Sequence, residues 1–238
     1  MAWIKGTDGD NIMIGTSGPD TLEGGNGSDI YLVQEAVDVV LETNADPAVG
    51  GIDTVHCYLQ TYTLPTNVEN GVMYYPGPGF TSSMTGNSLN NVITGNPLDN
   101  LINGAGGSDT ASYELSNGGV TVHLGITGSQ FTGASSGYDT LISIENLVGS
   151  YYGDKLYGNA GANRLDGGPG DGNGKDTLDG GAGADTMVGG GDDDVYYVRD
   201  VGDVVIESAN TQFGGTDKVF SYANSWTMPN YVEVGRIM

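Results

Sequence analysis

The chain has 238 residues, enough for one large domain or two small ones, and 42 of them are glycine. It carries 30 Asp and Glu residues against 7 Lys and Arg, which gives a formal net charge of −23. A chain this acidic is not expected to bind nucleic acid or to insert into a membrane, whereas it is expected to attract hard cations. Its single cysteine, Cys57, excludes an intramolecular disulfide.

A nine-residue unit recurs eleven times, in three blocks that span residues 6–32, 86–112 and 149–197. Position one of the unit is Gly in every copy, position six is Asp in seven copies and Asn in four, and position eight is always apolar. Four inserted residues, 171–174, are expected to loop out from a turn of the third block. The apolar residues at position eight are Met13, Leu22, Tyr31, Ile93, Ile102, Ala111, Leu156, Leu165, Leu178, Met187 and Tyr196.

Each unit predicts a turn followed by a short strand. Glycine-rich positions one to four allow positive φ and a tight turn. Positions six to nine are long enough only for a strand, whose position-eight side chain points inward. One nonapeptide cannot bury that side chain alone, but stacked copies can, so two nonapeptides complete one coil. The sequence therefore predicts an all-β fold: parallel β-roll blocks with two flat sheets, joined and followed by short antiparallel β segments.

The position-six side chains of stacked turns should line up along one edge of the roll. Rows of carboxylates and inward-facing carbonyls form the cages of six to eight oxygens that Ca²⁺ prefers. The best pairs should be Asp154 with Asp176, Asn163 with Asp185, and Asp176 with Asp194. We therefore predict several bound Ca²⁺ ions and these candidate metal ligands: Asn11, Asp20, Asp29, Asp109, Asp154, Asn163, Asp176, Asp185 and Asp194.

Two units of the second block depart from the pattern, because Leu89 and Leu98 occupy position four in place of Gly. Position six of these units is Asn91 and Asn100. We interpret them as metal-poor turns that hold asparagine ladders.

The unit resembles the GGxGxDxUx repeat of the RTX, or hemolysin-type calcium-binding, family, and the matching blocks cover a little under half of the chain. The resemblance implies parallel β-rolls and calcium-dependent folding outside the cell. It also implies type I secretion with an uncleaved C-terminal signal, in agreement with an N-terminus that lacks an apolar signal segment. The predicted location is secreted, extracellular or at the cell surface, of a Gram-negative bacterium.

A longer repeat relates the first third of the chain to its last third and indicates a duplicated module, a roll followed by a β-rich segment. The matched ranges are 27–33 with 192–198, 38–42 with 203–207, 51–55 with 215–219, and 63–71 with 227–235. The predicted organisation is residues 1–80, the first roll block and its β-rich segment; residues 81–198, the second and third blocks with inserted strands 113–148 that bulge out of the roll; and residues 199–238, a copy of 33–74.

Six acidic residues recur at matched spacing in the two copies of this module. They could close the end of a roll around another cation, or they could accept hydrogen bonds from turn amides. The pattern leaves both alternatives open. The residues are Asp38, Glu42 and Asp53, with their copies Asp203, Glu207 and Asp217.

Catalytic motifs are absent or lack their structural context. His56 and His123 are the only histidines, and no HExxH motif occurs. Residues 133–137 match GxSxG, but they lie in a polar loop and no histidine follows them. We therefore expect a protein that is not an enzyme: a surface-layer, matrix or filament subunit. The alternative is a C-terminal secretion and stabilising module of a larger type I secreted exoenzyme.

The first nonapeptide begins at Gly6 with no preceding cap, although Trp3 and Ile4 are an alternative small cap. The last segment ends about where its earlier copy leads into another roll. Open ends of this kind favour a head-to-tail contact between copies of the chain, which does not close by symmetry. The expected partners are the chain itself and a cell-surface polysaccharide.

Overall fold

The structure, a computed structural model, describes residues 1–44, 48–74, 77, 81–169, 174–207 and 215–237. All the regular elements in these ranges are strands, which confirms the predicted all-β class. The same ranges contain no helix that is long and apolar enough to cross a membrane. The chain divides into two compact units, Met1–Thr110 (unit 1) and Ala111–Met238 (unit 2).

Unit 1 is a parallel β-roll. Three rows of parallel strands run through it, in the orders β1-β3-β5, β2-β4-β6-β8-β10 and β7-β9-β11. The strands are β1 Ala2–Lys5, β2 Ile12–Ile14, β3 Asp20–Glu23, β4 Ile30–Val33, β5 Val39–Leu41, β6 Thr54–Cys57, β7 Thr61–Thr63, β8 Asn70–Met73, β9 Ser82–Thr85, β10 Val92–Thr94 and β11 Asn100–Asn103, with β12 Thr110–Ser112 at the boundary. Trp3 and Ile4 lie in β1, which pairs with β3, so they extend the sheet.

Unit 2 repeats the architecture, with parallel rows β13-β17-β19-β21-β23-β24 and β16-β18-β20-β22. Its strands are β13 Thr121–His123, β14 Gln130–Gly133, β15 Gly137–Ile142, β16 Asn146–Val148, β17 Lys155–Tyr157, β18 Arg164–Asp166, β19 Thr177–Asp179, β20 Thr186–Val188, β21 Val195–Val198, β22 Val204–Ile206, β23 Lys218–Ser221 and β24 Val234–Ile237. The inserted residues 171–173 lie outside the described residues. The insertion does not change the strand register. Leu156, which precedes the insertion, lies opposite Leu178, which follows it, and Leu178 in turn lies opposite Tyr196.

The core of each unit is a column of position-eight side chains. None of the eleven predicted residues is more than 3% exposed, so the prediction that they point inward is confirmed. The same column continues through coils without a nonapeptide, where Val55 lies opposite Tyr31 and Val219 opposite Tyr196. Stacking therefore buries one apolar residue per half-coil, which is what holds the short strands together.

The antiparallel pairing predicted for residues 33–74 and 199–238 is wrong. β5, β6 and β23 pair in parallel with β3, β4 and β21, because these segments continue the roll with longer turns. In residues 113–148, β13 and β16 are also parallel strands of unit 2, so the predicted bulge is limited to one antiparallel hairpin, β14–β15.

The glycines of a repeat have two separate structural roles. Positive φ occurs at positions two and four, as at Gly181 (φ 89°) and Gly183 (φ 123°). Position one instead needs close approach: a Cβ on Gly180 would lie 2.3 Å from Oδ2 of Asp185, and one on Gly167 would lie 2.1 Å from Oδ2 of Asp176. Position one is therefore glycine because a position-six carboxylate occupies the space of its side chain.

Candidate functional site

A ladder of hydrogen bonds joins the position-six residues of successive coils. The backbone N–H of Asp154 donates to Oδ1 of Asp176 at 2.7 Å, and that of Asp176 donates to Oδ1 of Asp194 at 2.8 Å. The N–H of Asn163 donates to Oδ1 of Asp185 at 2.8 Å. The three predicted pairs are thus brought together in unit 2, each through one carboxylate oxygen.

Unit 1 contains the same ladder. Asn11 N–H donates to Oδ1 of Asp29 at 2.8 Å, and Asn91 N–H donates to Oδ1 of Asp109 at 2.7 Å. Both aspartates are fully buried. Because Oδ1 is used by the neighbouring coil, the carboxylate has a fixed orientation. In Asp29 the second oxygen, Oδ2, is directed at Gly24 of the same turn, where an added Cβ would lie 2.1 Å away.

Burial makes the carboxylates of the third block costly to ionise. The pKa is raised to about 9 for Asp176, about 8 for Asp194 and about 6 for Asp185. Burial is the largest cause, and neighbouring carboxylates add to it, whereas the ladder hydrogen bonds lower each pKa. The Oδ2 atoms of Asp185 and Asp194 are buried without a hydrogen-bond partner among the described residues. These oxygens fit a bound cation, which would supply the missing interaction.

Lysine and arginine do not neutralise this row. The ion pairs found among the described residues are Lys5–Glu23, Arg164–Asp166, Lys175–Asp193 and Arg199–Asp179, and each involves a carboxylate at another position of the repeat. Asp176, Asp185 and Asp194 therefore depend on protons or on an added cation for neutralisation.

Two other predicted ligands, Asp20 and Asp154, accept hydrogen bonds from the protein at both carboxylate oxygens. Oδ1 of Asp20 accepts the N–H of Ala2, while its Oδ2 accepts the N–H and the hydroxyl of Thr16, all at 2.6 Å. These hydrogen bonds, that from the Thr16 side chain above all, lower the pKa of Asp20. Asp154 accepts from Val120 N–H at Oδ1 and from Ser150 N–H at Oδ2, at 2.6 and 2.5 Å, although burial still raises its pKa.

Asparagine at position six bonds the carbonyls of the turn with its side-chain amide. Nδ2 of Asn163 donates to the Glu145 carbonyl at 2.8 Å. Nδ2 of Asn91 donates to the carbonyls of Val68 and Glu69 at 3.0 and 3.1 Å. The amide thus donates to carbonyl oxygens of the kind that a cation binds.

The remaining asparagines make similar contacts. Nδ2 of Asn100 donates to the Asn96 carbonyl at 3.0 Å, and Nδ2 of Asn11 donates to the Asp10 carbonyl at 3.0 Å. In the two leucine-containing units the side-chain amides of Asn91 and Asn100 thus donate to backbone carbonyls, and the asparagine ladder itself stays a prediction.

Comparison with known families agrees with this geometry. Four stretches match the RTX calcium-binding nonapeptide repeat, and together they cover a little over half of the chain: residues 5–34, 85–115, 143–172 and 171–205. The chain belongs to the RTX calcium-binding repeat family. No curated protein matches it closely enough to count as a relative. RTX nonapeptides bind calcium, and the buried all-oxygen turns of this RTX chain fit that ion.

The RTX rolls contain two further carboxylate clusters. One oxygen from each of Asp29, Glu42 and Asp53 lies within 4.8 Å of the other two, and Asp194, Glu207 and Asp217 form the same arrangement in unit 2. Asp38 and Asp203 are not members of these clusters, and they accept the N–H groups of Asp20 and Asp185, each at 3.1 Å. Of the two alternatives left open by the sequence, Asp38 and Asp203 thus satisfy turn amides.

Four other residues lie near these clusters, and the sequence patterns did not identify any of them as part of a site, although Tyr31 and Tyr196 were predicted as core residues. Oε2 of Glu69 accepts the N–H of Asp53 at 2.8 Å, and Oε2 of Glu233 accepts the N–H of Asp217 at 2.7 Å. The hydroxyls of Tyr31 and Tyr196 donate to Oε1 of Glu42 and of Glu207. Their signal in the sequence is the longer repeat, which relates Glu69 to Glu233 and Tyr31 to Tyr196.

Proposed function

We propose that this RTX chain is a secreted structural protein whose rolls form when calcium neutralises their turns. The observation that carries the proposal is the buried row Asp176, Asp185 and Asp194, held in place by backbone amides and without an ion-pair partner among the described residues. An ion that binds only the folded turns adds its binding free energy to folding. Calcium is thus the proposed structural cofactor, with several ions per chain.

The same chemistry supports secretion. RTX repeat proteins are typically secreted by Gram-negative bacteria, and we assign this chain to that group. A row of carboxylates that repel one another disfavours the roll where calcium is scarce, so the chain would be exported unfolded by type I secretion. It would fold at the cell surface or beyond, where calcium is plentiful.

Outward-facing apolar side chains support a role in assembly. Ile12 and Ile14, on one face of β2, are 66% and 52% exposed. In unit 2, Val204 and Ile206 are likewise exposed on one face of β22. Rows of exposed apolar residues are typical of surfaces that pack against another protein. The proposed assembly, through contacts between copies of the chain, is a surface layer, matrix or filament.

The proposed role is non-enzymatic. His56 packs against Tyr74, with ring centroids 5.1 Å apart, and His123 stacks on Tyr157 at 4.0 Å. Burial lowers the pKa of both imidazoles. The GxSxG match at 133–137 is the turn of the β14–β15 hairpin, where Ser136 N–H donates to the Gly133 carbonyl. These contacts support structural roles for the residues concerned.

Circular dichroism tests the folding proposal. The calcium-free chain at neutral pH should be largely unfolded and should become β-rich on addition of Ca²⁺. Mg²⁺ should be much less effective, because it retains its waters and demands octahedral geometry. A calcium-free chain that is already β-rich at neutral pH would contradict the proposal.

Sedimentation velocity tests the assembly proposal. In excess Ca²⁺ the chain should form species larger than a monomer. Replacing Ile12 and Ile14 together by Thr should return it to the monomer without changing its calcium-induced circular dichroism, whereas Val49→Thr, at an exposed valine outside β2, is the matched control. A monomer at every concentration would favour the alternative, a stabilising module of a larger secreted exoenzyme.

A further inference from the structure

Three carboxylates meet in unit 1 at the point where the chain leaves the nonapeptide pattern. Asp29 occupies position six of the last unit in the first block, Glu42 follows β5 and Asp53 precedes β6. Their side chains are 0%, 3% and 1% exposed, and one oxygen from each lies within 4.8 Å of the others. We call this group the junction cluster of unit 1, and its copy, Asp194, Glu207 and Asp217, the junction cluster of unit 2.

The junction cluster of unit 1 contains acceptor oxygens with no donor. Oδ2 of Asp29 and Oε2 of Glu42 are buried without a hydrogen-bond partner among the described residues. The other oxygens are used: Oδ1 of Asp29 accepts the N–H of Asn11, and Oε1 of Glu42 accepts the hydroxyl of Tyr31. Neighbouring backbone N–H groups also act on the Glu42 carboxylate and partly offset the effect of burial on its pKa. Two buried side chains thus direct unpaired oxygens into one space, which is costly unless a cation occupies it.

The charges around this space are all negative. No ion pair among the described residues involves Asp29, Glu42 or Asp53. Burial is the largest cause, and it raises the pKa of all three groups, that of Asp53 to about 7. The negative charge of Asp10 raises the pKa of Asp29 further, and that of Glu69 does the same for Asp53. The cluster therefore needs either protons or a metal ion at neutral pH.

Glycine lines the same space. A Cβ on Gly24 would lie 2.1 Å from Oδ2 of Asp29, 2.1 Å from the Tyr31 hydroxyl and 2.6 Å from Oε1 of Glu42. Gly24 therefore allows the carboxylates and the tyrosine hydroxyl to converge against the backbone. All the converging side-chain atoms are oxygens, the donor type of hard cations.

Unit 2 contains the arrangement a second time. The hydroxyl of Tyr196 donates to Oε1 of Glu207, and Asp194 N–H donates to Oδ1 of Asp217 at 2.8 Å, as Asp29 N–H donates to Asp53. A Cβ on Gly189 would lie 1.9 Å from the Tyr196 hydroxyl and 2.2 Å from Oδ2 of Asp194. Two separate parts of the chain thus keep the same residue types in the same contacts.

We propose that each junction cluster is a further Ca²⁺ site, in which Glu42 and Asp53, or Glu207 and Asp217, bind the ion from outside the nonapeptide repeats. The inference rests on the proposed calcium-dependent folding and adds two ions, bound through Asp29 and Asp194, to those of the other position-six turns. Three carboxylates and a hydroxyl suit Ca²⁺, which accepts irregular oxygen geometry, better than Mg²⁺ or Zn²⁺. In unit 1 the ion would tie Glu42 and Asp53 to the first block.

Counting bound calcium tests the proposal. Equilibrium dialysis with metal analysis should find two fewer ions per chain in E42Q/E207Q than in the wild type, and one fewer in E42Q. Glu114→Gln removes one charge at an exposed turn and is the matched control, with an unchanged count. Tyr31 and Tyr196 should also sensitise the luminescence of Tb³⁺ bound beside them, and this emission should fall in E42Q/E207Q and be displaced by Ca²⁺.

The outcomes separate the proposal from its alternative, a cluster neutralised by protons. In that alternative E42Q/E207Q would bind as many ions as E114Q and would be more stable than the wild type without calcium, which would overturn the proposal. If E42Q/E207Q does not fold, E42D/E207D keeps the charges and shortens the side chains. It should bind the two ions more weakly, and an affinity and Tb³⁺ emission equal to those of the wild type would overturn the proposal. Failure of the proposed function is distinguishable, because wild-type circular dichroism would then not respond to calcium.

Discussion

The backbone N–H of Asp176 donates a 2.8 Å hydrogen bond to Oδ1 of Asp194, one coil further along the roll. The second oxygen of Asp194 is directed at Gly189, where an added Cβ would lie 2.2 Å away. One carboxylate thus aligns neighbouring coils with Oδ1 and offers Oδ2 as a metal ligand. In the proposed calcium-bound protein this one residue would serve both the fold and the ion.

Replacing Asp176 by Asn should weaken calcium binding by the third block by about tenfold or more, because the turn loses a charged ligand. The amide keeps the Oδ1 that accepts Asp154 N–H, so the coil spacing should survive. Isothermal titration calorimetry measures the change. Asp99→Asn, at an exposed position five, removes the same charge and should be nearly silent. Identical titration curves for the two variants would contradict the assigned register.

Gly180→Ala should destabilise the calcium-bound protein by about 1–3 kcal/mol, as expected for overpacking a buried position. The new methyl group would lie 2.3 Å from Oδ2 of Asp185, so the carboxylate would have to move out of the turn. Urea unfolding in excess calcium measures the change. Gly128→Ala is the control, since no atom lies within 4 Å of its added Cβ. Equal midpoints for the two variants would show that position one does not require close approach.

The nonapeptides were predictable because one rule governs each position. The strict nine-residue period predicts Leu165 in the core and Asp185 in the turn, and the structure has both side chains there. The segments after the blocks were not predictable in this way, since their coils are longer than two nonapeptides, as where Tyr31 lies opposite Val55. With no fixed period, the sequence could not place Glu42 beside Asp29, although the longer repeat identified Glu42 as recurrent.

The side chains of the core column are almost completely buried, so truncating one of them should be costly. Leu165→Ala, at a fully buried position eight, should destabilise the protein by about 2–5 kcal/mol, the range for truncation of a buried leucine. Leu115→Ala, at a position that is 51% exposed, should change the free energy of unfolding far less. Chemical denaturation in excess calcium provides both values. A similar small loss for both variants would contradict the assignment of the column as the core.

Acid should partly replace calcium. The folded-state pKa values of Asp176, Asp194 and Asp185 are raised to about 9, 8 and 6, whereas an unfolded Asp has a pKa of about 3.9. The folded chain therefore holds protons that the unfolded chain releases. Their contribution to stability is fully present below about pH 4 and is lost as the pH rises through about 6 to 9.

Calcium-free protein should accordingly gain β-structure as the pH is lowered from about 8 to about 4.5, with calcium reversing the loss at the higher pH. The range stops there because hydrogen bonds lower the pKa of Asp20, and that group loses stability in stronger acid. Circular dichroism across this range measures the effect. D176N/D194N removes two of the titrating carboxyls, so its calcium-free form should depend less on pH. A wild-type chain that is equally unfolded at both ends of the range would show that protons do not neutralise the row, and that its carboxylates respond to calcium alone.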